Sequence, residues 1–205
     1  AVFLTQSAKK AGADACLLVT PYYNKPNQKG LFEHYKTIND AVDIPQILYN
    51  VPARTGCDLE NKTVISLSKL SNIIGIKDAT GELERIDFLK DKVKKSFIFI
   101  SGDDLTFLDY MERGGCGVIS VTANVKPDLM HNICHNFLNG NNEKSRTINN
   151  KLGSLHKALF IDSNPIPVKW LLNYLGLINQ GIRLPLVDLD KKYQTKLAEA
   201  FEAIK

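Results

Sequence analysis

No stretch of the 205 residues approaches the roughly 20 consecutive apolar side chains that a membrane-spanning helix needs. The first residues also lack the apolar core and cleavage site of a secretory signal, so a cytoplasmic protein with no membrane partner is expected. Cysteine is scarce. Cys16, Cys57, Cys116 and Cys134 show no CxxC pairing, which excludes a disulfide scaffold or a paired-cysteine zinc site and leaves reduced, mostly buried thiols. No basic block or interleaving of basic and aromatic residues accompanies the small net charge of +4, and nucleic acid is not an expected partner. Arginine is scarce as well, 5 against 21 lysines, so each one is informative where a planar fork must grip a carboxylate. Arg54, in Pro52-Ala53-Arg54-Thr55-Gly56, is such a position.

What is present is an ordinary globular composition, 44% hydrophobic and 23% charged. Five short apolar runs recur at Cys16 to Thr20, Gln46 to Asn50, Ile73 to Lys77, Phe97 to Ser101 and Gly117 to Val121. Each is continuous rather than alternating, the pattern of strands buried on both faces of a parallel sheet. Helix-compatible segments lie between and after them, at Leu31 to Val42, Glu60 to Leu70, Glu82 to Lys94, Leu105 to Arg113 and Lys126 to Leu138. Strand starts about 20 to 30 residues apart match the βα unit of a TIM barrel, whose eight units take about 250 residues.

Five such units are predicted here. The chain opens instead within a helical pattern, Val2 to Ala11, closed by Gly12, and it is read as a fragment lacking the first three βα units. The expected fold is therefore α/β, a partial (β/α)8 barrel over residues 1–140, with a C-terminal helical domain over 141–205. Glu143 to Phe160, Pro165 to Leu175 and Asp188 to Ile204 supply amphipathic helices for that second domain. Five strands alone would leave open edges, so these residues by themselves are expected to fold poorly.

Lys77 ends the run Ile73-Ile74-Gly75-Ile76, and Tyr49 ends a like run 28 residues earlier. A lysine amine attacks a ketone only when neutral, and an apolar setting disfavours its charged form. A phenol beside it can donate and accept protons as an imine forms and collapses. Against this, a lysine after a strand can simply begin a solvated loop, and the tyrosine can close the core. Tyr22 and Tyr23 follow the first strand in a Pro-flanked loop, at the strand ends where barrel sites lie or as an interface plug. Gly102 allows a ligand close to the backbone after the fourth strand, and the Ile119 carbonyl is a candidate to face the barrel axis after the fifth.

Other motifs carry weaker chemistry. Asp103-Asp104 has no supporting ligand at metal-site spacing. His131, Cys134 and His135 have the i, i+3, i+4 spacing of a zinc chelate, yet lie on a late helix without an acidic neighbour. Arg113-Gly114-Gly115-Cys116-Gly117 precedes a strand, the wrong side for a phosphate cradle. No metal is expected.

Taken together, Val19-Thr20-Pro21-Tyr22-Tyr23-Asn24, Leu48-Tyr49-Asn50-Val51-Pro52, Arg54-Thr55-Gly56, Gly75 to Gly81, Ser101-Gly102-Asp103-Asp104 and Asn164-Pro165-Ile166-Pro167-Val168-Lys169 resemble the dihydrodipicolinate synthase family of pyruvate-dependent Schiff-base aldolases. The resemblance runs the whole chain. It implies a barrel with a helical appendage, assembled as a homotetramer, and a lyase with no cofactor beyond the imine of Lys77 with pyruvate. The enamine would attack L-aspartate 4-semialdehyde, a step of diaminopimelate and lysine biosynthesis. Tyr49 would relay protons, and Tyr23 would reach a neighbouring subunit's site. Arg54 would grip the semialdehyde carboxylate, Gly102 and Ile119 would line the pyruvate pocket, and Tyr22 would belong to an L-lysine feedback site.

The family's Gly-Thr-Thr-Gly-Glu motif is not in the chain, which is expected to begin after it. Two other functions fit part of the pattern. One is an aldolase such as N-acetylneuraminate lyase, which Arg54 argues against. The other is an inactive truncated relative that acts as a binding partner of an intact copy.

Overall fold

A computed structural model describes residues 1–204. The chain divides into two compact units, Ala1–Ile119 and Ser120–Lys205. In the first, helix α1 (Val2–Lys10) precedes a parallel sheet of β1 (Cys16–Val19), β2 (Gln46–Asn50), β3 (Ile73–Asp78), β4 (Ile98–Ser101) and β5 (Gly117–Val118). The strands are hydrogen-bonded in sequence order. Helices α2 (Gln28–Ala41), α3 (Pro52–Thr55), α4 (Asn61–Leu67), α5 (Leu83–Leu89) and α6 (Phe107–Glu112) lie between them in the chain.

The pleat sorts the strand residues to two faces. Leu18, Leu48, Ile76 and Phe99 are register neighbours across β1 to β4. They join Leu31, Tyr35, Leu59, Val64, Leu67, Ile86, Leu89 and Tyr110 in one apolar cluster, so the helices cover this face. The alternate residues Val19, Tyr49, Lys77 and Ile100 form a second row on the opposite face. One row below them, Gly75 pairs with Ile98, and a Cβ at residue 75 would stand 2.2 Å from Ile98 Cγ1 and 2.5 Å from the Ile98 carbonyl oxygen. Glycine is what lets β4 approach there.

Local chemistry places the connections. The Asn27 side chain caps α2 by accepting from Gly30 N at 2.9 Å. Gln28, at the start of α2, donates to the Asp58 carbonyl at 2.8 Å and accepts from Thr63 Oγ1 at 2.7 Å, tying α2 to α4 and to the segment before it. Helix α3, which no sequence pattern marks, begins on Pro52 and is closed by Gly56 at φ 72°. The Arg113–Gly117 segment is the turn into β5, with Gly115 N on the Tyr110 carbonyl at 3.0 Å and Cys116 N on the Phe99 carbonyl at 2.8 Å. β5 itself is two residues long, shorter than the run Gly117 to Val121 predicts.

In the second unit a 3-10 turn (Thr122–Asn124) leads to α7 (Pro127–Leu138), α8 (Asn142–Ala158), α9 (Ile166–Tyr174) and α10 (Lys191–Glu202). Leu152, Leu155, Leu159, Leu197 and Phe201 are buried within it. Ser145 Oγ donates to the Ile133 carbonyl at 2.8 Å, joining α8 to α7. Among the described residues no helix is long and apolar enough to cross a membrane.

Candidate active site

Tyr49 and Lys77 are register partners at the ends of β2 and β3. Their side chains therefore leave the same face side by side, and Lys77 Nζ stands 4.0 Å from the centroid of the Tyr49 ring. Lys77 is only 8% exposed. Burial holds its amine below the ordinary lysine range, while the carboxylate of Asp104, itself 1% exposed, pulls the other way. The net lowering means that desolvation outweighs the pull of Asp104. Burial pushes the Tyr49 phenol above its usual value, and the nearby charge of Arg54 opposes that. The pair is thus an amine with enhanced access to its neutral form and a phenol that keeps its proton at neutral pH.

Gly102 makes room for this lysine. A Cβ there would lie 2.9 Å from Lys77 Cε and 2.7 Å from the Ala79 Cβ, so the stem of Lys77 runs over the bare backbone of Gly102. Gly102 N is also fixed, donating to the Asp78 carbonyl at 2.6 Å. Ile119 follows β5, and its N–H donates to the Ser101 carbonyl at 2.9 Å, which sets it beside the end of β4. Arg54 is exposed on α3, directly after β2.

The tyrosines after β1 stand apart from this group. Tyr22 is 69% and Tyr23 93% exposed. Tyr23 has φ 68°, a conformation that costs a bulky residue of order 1–3 kcal/mol. The loop is held from below: Cys57 Sγ lies 3.2 Å from the Pro21 carbonyl, and the Lys25 stem packs over Gly56. The structure therefore brings Lys77, Tyr49 and Gly102 together and leaves Tyr22 and Tyr23 presented outward.

Among the described residues no cluster of three or more His, Cys, Asp or Glu side chains is arranged to hold a metal. Asp103 is occupied locally, its Oδ2 accepting from Thr106 N at 2.9 Å and Thr106 Oγ1 at 2.7 Å. The His131 and His135 rings stack on α7 with centroids 5.5 Å apart.

Sequence reasoning missed the polar group behind the strand ends. Asp78, the residue after Lys77, is 4% exposed and paired with Arg85, its Oδ2 3.1 Å from Nε. Asp58 and Asn50 complete that group. The scarcity of arginine was the available signal, and it applied to Arg85 as much as to Arg54.

Comparison with known proteins agrees with this fold. The model of the Dihydrodipicolinate synthetase family matches residues 1–204. The 4-hydroxy-tetrahydrodipicolinate synthase of Pseudomonas putida (strain W619) is 58% identical over 200 residues, covering 98% of this chain and 68% of the relative. The chloride-inhibited dihydrodipicolinate synthase of Acinetobacter baumannii, solved in complex with pyruvate, superposes with a TM-score of 0.96 at 50% identity, covering 99% of this chain and 70% of that one. The enzyme of Cyanidioschyzon merolae, solved with lysine bound, superposes with a TM-score of 0.94 at 35% identity, covering 99% and 69%.

Proposed function

The chain belongs to the dihydrodipicolinate synthetase family, and from that premise we propose that it acts as a 4-hydroxy-tetrahydrodipicolinate synthase, a lyase of the diaminopimelate route to L-lysine. The observation that carries this reading is the buried Lys77 amine, held below the ordinary lysine range and facing Tyr49 at 4.0 Å.

The neutral Lys77 amine attacks the ketone carbon of pyruvate, and water leaves as the iminium forms. Loss of a methyl proton gives the enamine, with the iminium nitrogen as the electron sink in place of a metal or organic cofactor. The enamine carbon attacks the aldehyde of L-aspartate 4-semialdehyde. The substrate amine then adds to the iminium carbon and expels Lys77, so that one water and the cyclic product are released in all. Tyr49 moves the protons at the carbinolamine and the aldehyde oxygen. Gly102 and Ile119 line the pyruvate pocket, and Arg54 binds the semialdehyde carboxylate at the entrance.

The rest of the reading follows the family. Residues 1–140 belong to a (β/α)8 barrel, and residues 141–205 form the helical domain. The protein works in the cytoplasm as a homotetramer. Tyr23 enters a neighbouring subunit's site, which gives its outward position and strained backbone a purpose. Tyr22 contributes to an L-lysine site; that a relative binds lysine supports the presence of such a site.

Lys77→Ala in the complete protein is expected to lower condensation of pyruvate with the semialdehyde by at least about 1,000-fold with the fold intact. Condensation within tenfold of the parent would remove Lys77 from the chemistry. Offering N-acetylmannosamine as the acceptor is expected to give no product.

A further inference from the structure

Behind the reactive face, on the side of the sheet covered by helices, five polar groups close a ring. Asn50 and Asp78 are register partners one residue beyond Tyr49 and Lys77, and Ala79 N donates to the Asn50 carbonyl at 2.9 Å. The Asn50 side chain donates to Asp58 Oδ1 at 2.7 Å and accepts from Leu59 N at 3.0 Å. The Arg85 guanidinium spans the remaining gap. Its Nη1 reaches Asp58 Oδ2 at 3.0 Å, its Nη2 the Leu59 carbonyl at 2.7 Å, and its Nε Asp78 Oδ2 at 3.1 Å. The second oxygen of Asp78 accepts from Thr80 N at 2.8 Å and Thr80 Oγ1 at 2.7 Å.

Three guanidinium nitrogens thus serve three acceptors from two segments, Asp58-Leu59 and the end of β3, and the Arg85 side chain is 10% exposed. A lysine ammonium cannot reproduce that fork. Buried ion pairs contribute little net stability compared with apolar packing, so the physical effect of this ring is directional. It fixes the rotation of Asn50 and Asp78 about their strands. Because neighbouring residues share one peptide and point to opposite faces, it also fixes the directions in which Tyr49 and Lys77 leave the sheet.

We propose that Arg85 is a positioning residue for the imine-forming pair, a clamp that sets the approach of Lys77 to Tyr49. The proposal rests on the reading of Lys77 as the imine-forming lysine.

Arg85→Lys in the complete protein keeps the charge and removes the fork. The expected result is a fall in kcat of about tenfold or more with the KM for pyruvate changed less than about threefold. Competitive labelling of Lys77 with an amine reagent across pH reads its titration without substrate. Its midpoint is expected to rise toward that of free lysine as the site loosens.

Asp58→Asn is the second variant, available if Arg85→Lys does not fold. Loss of a carboxylate alone would move the Lys77 midpoint down, whereas release of the clamp moves it up. An unchanged or lowered midpoint, or a kcat within about twofold of the parent in the folded variant, overturns the proposal. If the parent protein forms no adduct between pyruvate and Lys77, the functional reading fails, and the labelling profiles still decide for or against the clamp.

Discussion

Lys77 combines two demands that conflict in most lysines, a buried stem and a titratable end. Its lowered pKa has a consequence for stability whose sign is fixed. Below the folded-state pKa the amine is charged in both states, and the fold carries the full cost of burying it. As pH rises through the folded-state pKa toward 10.5, the native amine loses its proton before the unfolded one, and the protein gains stability. Lys77→Met is therefore expected to raise the melting temperature at neutral pH, with an advantage that shrinks as pH rises through that window. An advantage that grows with pH would mean the amine is not held down by burial. Gly102 is the second decisive residue. Gly102→Ala would set a methyl group 2.9 Å from Lys77 Cε, costing about 1–3 kcal/mol and slowing pyruvate adduct formation by about tenfold or more. Full adduct rates in a folded Gly102→Ala protein would show that the lysine has room elsewhere. The placement of Lys77, Tyr49 and Gly102 at the strand ends was legible because each sits at or just after the end of an apolar run. The pairing of Asp78 with Arg85 was not, since the ring they form joins residues 7, 26 and 27 positions apart and leaves no periodic trace.

Strands were the most legible elements, because continuous apolar runs of four to six residues between turn residues leave few other solutions. β2 spans the residues its pattern predicts, and β1, β3 and β4 fall within a residue of theirs at each end. β5 stops at Val118 because the chain turns after Ile119 into the 3-10 segment, a change that the apolar pattern of Gly117 to Val121 conceals. α3 is not legible, because four residues starting on proline carry no amphipathic signal. The pairing of β3 with β4 depends on a single missing side chain. Gly75→Ala would force a methyl against the Ile98 backbone, which cannot rotate away as a side-chain end can. The expected outcome is a loss of about 1–3 kcal/mol or more in urea unfolding, read as a lower midpoint with an unchanged slope. A midpoint equal to the parent's would mean that β4 is free to shift.

On the scale of the whole molecule, the sheet places successive strand ends along one edge of one face, and the likeness to solved family members extends over 99% of the chain. The five-strand parallel order was legible from the spacing of the runs. The division after Ile119 was not, because α7 packs on α8 through contacts that no boundary signal in the sequence announces. The net charge of +4 and the scattered lysines give no comparable guide to which of 21 lysines reacts. Burial distinguishes Lys77, and chemistry can test that directly. The complete protein would be treated with pyruvate and borohydride, its intact mass taken, and the modified peptide sequenced. The expected result is a single reduced pyruvyl adduct on Lys77, formed at neutral pH and abolished by Lys77→Ala. An adduct on another lysine, or none on a folded protein, would contradict the assignment of Lys77 as the imine-forming residue.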